Sequence, residues 1–221
     1  VPFVVFVGGT SGVGKSTVSQ TAATVLGIDR VISSDLVRAV LRGTLHPDLI
    51  PALSESSFSA QRMLRSNLEG DPLLMAFEQQ ASIVGQATMA LVRRAMKEGL
   101  QIVVNGVHLV PGLVSVPVDW PVVSTVLTVP DPAEHERRFS ARVETSSRDA
   151  ERYLERLAAI RDLDRYIVGH ARRAGVPVVA SHTLDQSVFD LVGAVVDQLA
   201  AQFDVGIDVS ASSAELRSQP D

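Results

Sequence analysis

The sequence predicts an α/β fold, a sheet of five parallel strands with helices on both faces. Short apolar runs rich in valine and isoleucine alternate with stretches of helical period, the order expected of an open parallel sheet. The first run passes through a glycine-rich segment directly into a helix. The residues that stand out chemically, Gly8 to Ser16, Asp35, Asn105 and those from Pro130 onward, follow predicted strands. Such sheets bind ligands beyond the carboxyl ends of their strands.

Taken in order, Pro2 to Val7 is a continuous apolar run bounded by glycines and reads as a buried strand. Ser16 to Leu26 has helical spacing, and Gly27 stops it. Val31 and Ile32 form a second strand. A helix follows Asp35, with Leu36, Val37, Val40 and Leu41 expected on its buried side and Gly43 at its end. Residues 44–72 are broken by Pro47, Pro51, Gly70 and Pro72 and read as an inserted substrate lobe. From about Leu73 to Lys97, residues Phe77, Ala81, Val84, Ala87, Leu91 and Ala95 recur at helical steps. Gln101 to Asn105, Val122 to Val129 and Val176 to Ala180 are the remaining strands. Asp131 to Arg173 carries ten arginines and nine acidic residues, and its second part keeps a helical period. Leu184 to Phe203 closes the domain as an amphipathic helix. The expected organisation is one domain over 1–204, with a lid over 131–150 and a tail over 205–221.

Composition excludes several classes. Of 221 residues, 46% are hydrophobic and 20% charged, which excludes a wholly disordered chain. There is no cysteine, hence no disulfide framework, thiol nucleophile or Cys-ligated zinc. A net charge of −5 argues against a general nucleic-acid binder. The longest uncharged stretch, Gly99 to Val118, is broken by glycines and prolines, and no basic-then-apolar leader is visible. The expectation is a cytoplasmic protein with no membrane partner.

Gly9-Thr10-Ser11-Gly12-Val13-Gly14-Lys15-Ser16 fits G-x-x-x-x-G-K-[ST] at every fixed position, between a strand and a helix. Glycines let successive backbone N–H groups surround an anion, and the helix N-terminus adds partial positive charge. Lys15 can then reach the outer phosphates, and Ser16 can place its hydroxyl on Mg2+ with Thr17 beside it. The chain has two lysines against eighteen arginines, yet a lysine stands here. No Asn-Lys-x-Asp guanine signature is present, which disfavours a GTPase. The length suits a small-molecule kinase.

Asp35, after the second strand, can orient an acceptor hydroxyl or share Mg2+ with Ser16; its competing explanation is a helix N-cap. Arg38 and Arg42 lie one turn apart and suit an anionic acceptor, although a solvated helix face would look the same. Arg138 and Arg142, also one turn apart, are candidates to close over the transferring phosphate. His108 lies in a glycine-flanked loop after the third strand and is a candidate on the acceptor side, with Asn105 just before it.

The blocks Gly8 to Thr17, Val31 to Arg38 with Arg42, Gly106-Val-His-Leu-Val-Pro-Gly112, His135-x-x-Arg-Phe-x-x-Arg142, and Ile160-Arg161 leading into Tyr166 resemble the 2-phosphoglycerate kinase family. The resemblance implies a P-loop kinase core. It implies transfer of the γ-phosphoryl of ATP to the 3-hydroxyl of 2-phosphoglycerate, giving 2,3-bisphosphoglycerate and ADP, with Mg2+ as cofactor. An acceptor with a phosphate and a carboxylate would explain arginines on its side of the site. The family usually has a glutamate where this chain has Asn105, and an amide supplies neither a base nor a negative charge. Two other readings stay open: a kinase of another small polar metabolite, and a nucleotide-binding module that no longer transfers phosphate.

Overall fold

The computed structural model describes residues 2–46, 49–59, 70–117, 120–145 and 153–203, with the side chains of 142–145 outside that set. The expected tail over 205–221 lies outside the described residues. Five strands form one sheet: β1 (Val4–Gly8), β2 (Val31–Ser33), β3 (Ile102–Gly106), β4 (Val122–Thr128) and β5 (Val178–Ala180). Their order is β2-β3-β1-β4-β5, and every pair is parallel. The described helices are α1 (Lys15–Val25), α2 (Ser34–Thr44), α3 (Pro72–Lys97), α4 (Pro132–Thr145), α5 (Leu157–Arg173) and α6 (Leu184–Gln202).

Alternation along the strands divides the core. Val5, Val7, Val103, Val123 and Leu127 face one side and pack with Val18 and Ala22 of α1 and Val188, Leu191 and Val195 of α6. Val4, Phe6, Ile102 and Val104 face the other side, against Val92 and Ala95 of α3. Val126 joins Phe77, Phe139, Ile160, Leu163 and Ile167 on α3, α4 and α5. Strands covered on both faces need no polar alternation, which is why they appear as unbroken apolar runs.

Helix α2 departs from expectation. Leu36 and Val40 are each 64% exposed, while Val37 and Leu41 pack with Leu53 and Val84. The cover over α2 comes from α3 and a single helical turn at Pro51–Leu53, and it reaches one narrow stripe. Arg38 occupies the edge of that stripe, donating Nη1 to the carbonyls of Leu53 and Glu55, each at 3.2 Å. The helix also runs past Gly43 to Thr44. On α3, Leu91 is exposed although its spacing matched the buried set. The lid expected over 131–150 is described only to 145, and that part is helix α4.

Candidate nucleotide and acceptor site

Gly9 to Gly14 connects β1 to α1 at the carboxyl edge of the sheet. Gly14 precedes α1 in the left-handed region (φ 85°), and no side chain caps the helix, leaving its first N–H groups available to an anion. Gly12 has the same φ, and α4 lies so close that a β-carbon there would be 2.6 Å from His135 Nε2 and would overlap the Phe139 ring. Lys15 donates Nζ–H to the Thr10 carbonyl at 2.5 Å. Ser16 and Thr17 are exposed. Together with Asp35 and Tyr153, the loop bounds a cleft of about 220 Å³. Sequence reasoning singled out every member of this cleft except Tyr153.

The second wall starts at the end of β2. The Asp35 N–H donates to Ser33 Oγ at 3.1 Å, so Ser33 caps α2. The Asp35 carboxylate is thus spared the capping role and stands 57% exposed in the cleft. Arg38 Nε is 3.7 Å from it, buried, and without a hydrogen bond among the described residues. Asn105, the next-to-last residue of β3, pairs in register with Val7 and Ser33 and is buried. Arg42 is exposed on α2.

His108 is fully buried behind this wall. Gln80 donates its amide to the carbonyls of Ala52 at 2.5 Å and Glu55 at 2.9 Å, which leaves Oε1 as an acceptor. Oε1 takes Ser57 O–H at 2.8 Å and His108 Nε2–H at 3.2 Å. His108 Nδ1 therefore accepts from Ser34 Oγ at 2.8 Å. Gly106 permits the approach, since a β-carbon there would stand 2.7 Å from Ser34 Cβ. His108 supports the Ser34–Asp35 turn from beneath rather than lining the cleft.

Burial lowers the His108 pKa from 6.5 to about 4; Asp35 opposes this shift, while Arg38 and Lys15 reinforce it. The unfolded chain therefore takes up a proton at higher pH than the folded one. Stability contributed by neutral His108 is present above pH 6.5 and is lost as pH falls toward 4, by about 3 kcal/mol in all. Urea denaturation at pH 7 and pH 5 should show about 2 kcal/mol of this loss, reduced in His108→Gln. An equal pH slope in both proteins would assign the effect to other groups.

The described residues of helices α4 and α5 line no part of the cleft and instead pack against the loop itself. Arg138 donates Nε to Glu134 at 2.9 Å, Nη1 to Ser181 Oγ at 2.9 Å, and Nη2 to the carbonyls of Ser181 and His182 at 2.8 Å. This ties α4 to the loop after β5, beside Gly14. The Glu134 carboxyl is held below its usual range by its hydrogen bonds to Arg138 and Arg137. Arg142 is on the same helix, with its side chain outside the described residues. His135 and Phe139 turn inward onto the P-loop, and Arg161 of α5 bonds the carbonyls of Val129 and Pro130. Sequence reasoning gave these three no role; the His-x-x-Arg-Phe pattern was the available signal. Among the described residues no helix is long and apolar enough to cross a membrane.

Residues 4–163 match the family described as an AAA domain. The chain is similar to the 2-phosphoglycerate kinase of Pyrococcus furiosus, with 33% identity over 199 residues, covering 90% of this chain and 65% of that protein. It is 34% identical to the 2-phosphoglycerate kinase of Thermococcus kodakarensis over 199 residues, covering 90% of this chain and 68% of that one. The chain thus spans about two thirds of the length of these curated relatives. A gluconokinase structure from Sinorhizobium meliloti has the same fold, at a TM-score of 0.55 and 16% identity, covering 93% of this chain and 98% of that one. With a third of its residues shared along nine tenths of its length, the chain belongs to the 2-phosphoglycerate kinase family and is built on a P-loop kinase core.

Proposed function

We propose that the chain transfers the γ-phosphoryl group of ATP to the 3-hydroxyl of 2-phosphoglycerate, with Mg2+, giving 2,3-bisphosphoglycerate and ADP. The observation that carries this reading is Asp35 standing beside Arg38 in reach of the cleft that holds Lys15 and Ser16. An exposed carboxylate in the cleft, held beside a guanidinium, suits an acceptor that offers a hydroxyl beside an anionic group. 2-Phosphoglycerate is such a molecule, and it gives the relatives their name.

Ser16 Oγ and the Asp35 carboxylate both open onto the cleft, and hard oxygen donors of this kind suit Mg2+. Among the described residues no three His, Asp or Glu side chains form a metal cage. That fits a cation completed by phosphate and water oxygens. When bound, Mg2+ neutralises charge on the phosphates. The Gly9 to Gly14 backbone and Lys15 hold the phosphate chain, and Asp35 orients the acceptor hydroxyl and takes its proton. Arg38 and Arg42 grip the acceptor's anionic groups, with His108 and Asn105 shaping that wall. Arg138, held by Glu134, Ser181 and His182, supplies fixed positive charge beside Gly14, Arg142 closes over the phosphates, and residues 44–72 and 131–150 serve as acceptor lobe and lid. Positioning and electrostatics supply most of the rate in such transfers, so an amide at Asn105 is compatible with activity.

Purified protein with Mg2+ and ATP should release ADP with 2-phosphoglycerate but not with 3-phosphoglycerate or without acceptor, and the product mass should be that of the bisphosphate. ATP binding with no turnover on 2-phosphoglycerate would overturn the assignment. Restored turnover in Asn105→Glu would then identify a degenerate enzyme. Continued inactivity across an acceptor screen would favour a nucleotide-binding module, the reading that Asn105 supports.

A further inference from the structure

His135 is fully buried, yet it is a polar side chain aimed at the backbone of the phosphate-binding loop. Its Nε2 lies 2.8 Å from the Ser11 carbonyl oxygen, across 124 residues of sequence. Its Nδ1 faces Arg161 Nη1 at 3.4 Å. A guanidinium is a donor only, so the nitrogen facing it must carry the lone pair. The proton of the neutral ring is then on Nε2, where it is donated to Ser11. Arg161 is itself fixed by the carbonyls of Val129 and Pro130. Phe139 stacks on the ring at 5.2 Å, and Tyr153 stacks on Phe139 at 5.2 Å. The imidazole is thus held at both ring nitrogens and on one face.

The Ser11 carbonyl and the Gly12 N–H belong to one peptide unit. The described chain has no cis peptide, so these groups point in opposite directions. A hydrogen bond on the carbonyl from the α4 side therefore turns the N–H away from α4. Gly12, in the left-handed region and packed directly against His135 and Phe139, bounds the cleft with Lys15 and Ser16.

We infer that His135 is a positioning residue for the phosphate cradle: its Nε2–H holds the Ser11–Gly12 peptide with the Gly12 N–H presented to the nucleotide's phosphate chain, and Arg161 keeps the imidazole in the tautomer that does so. Such a donor acts through preorganisation, because a loop peptide free to flip would present a carbonyl to the phosphate in one of its orientations and pay to turn back on binding. The inference rests on the nucleotide-binding part of the proposed function and is independent of the acceptor.

Two amide replacements separate this role from packing. In His135→Gln the amide nitrogen reaches the place of Nε2; in His135→Asn it reaches only that of Nδ1. Affinity for MgADP, and for the nonhydrolysable triphosphate analogue AMP-PNP with Mg2+, is measured by calorimetry without acceptor, beside the thermal midpoint of each protein. His135→Asn is expected to lose about tenfold in affinity and His135→Gln to stay within about threefold of the parent, while their midpoints fall together. Equal affinities in the two variants, whether both retained or both reduced with the midpoint, would overturn the inference. Nitrogen NMR of the unsubstituted protein gives a second test that needs no variant. The His135 ring should be protonated at Nε2 and bare at Nδ1, and the reverse tautomer would overturn the proposal. Failure of 2-phosphoglycerate as an acceptor would leave both results untouched.

Discussion

Lys15→Ala is expected to lower kcat by about two to three orders of magnitude with little change in folding. Lys15 starts α1 at the cleft, and its ammonium already points along the loop toward the Thr10 carbonyl. In a transfer where charge spreads over the γ-phosphoryl oxygens, a fixed cation at the loop is worth more in the transition state than in the ground state. The loss should therefore appear in kcat more than in the KM for ATP. Lys15→Arg should not restore it, because a broader planar head cannot occupy the place of a compact ammonium. Turnover and far-ultraviolet dichroism of the variants check this. A rate within tenfold of the parent would remove Lys15 from the transfer.

Gly12→Ala should cost stability as well as binding. The left-handed backbone there is unfavourable for a β-carbon by about 1–2 kcal/mol. The new methyl would also press on the Phe139 ring and stand 2.6 Å from His135 Nε2. Neither ring can easily yield, since the two are stacked and Phe139 is backed by Tyr153. Overpacking of this kind adds about 1–3 kcal/mol, giving about 2–5 kcal/mol in all. The urea midpoint should drop accordingly, and nucleotide affinity should fall because the loop must tilt away from α4. A variant with an unchanged midpoint would mean that α4 does not rest on the loop in solution.

These two residues also show what a sequence can and cannot disclose. Lys15 was legible because the phosphate loop is local: its glycines, lysine and serine are consecutive, and the flanking strand and helix announce themselves by period. The five strands were legible for the same reason, each being a short apolar run with a clear stop. Asp35 stood out by its place after a strand, and only the structure released it from capping by giving that role to Ser33. The partners of Gly12 were not legible, since His135 and Phe139 arrive from another part of the chain. Periodicity also reveals that a helix has an apolar face without saying how much of it a neighbour will cover. Leu36 and Val40 matched the pattern on α2, but the cover stops at Val37 and Leu41. Arg38 sits at that margin because its guanidinium finds two carbonyls there.

The strand order carries a consequence for synthesis. β1 is the first of the five strands to be made and lies in the middle of the sheet, yet Val4 pairs with Ile102 on one side and Val122 on the other. Roughly a hundred residues must be added before either edge of this apolar strand finds its partner, which at ordinary elongation rates takes about 5–20 s. Throughout that interval Val4 to Val7 must be shielded by something other than its own sheet. A nascent chain halted before β4 exposes an unpaired hydrophobic edge, so of the five strands β1 is the one that waits longest for its neighbours and is most in need of a chaperone.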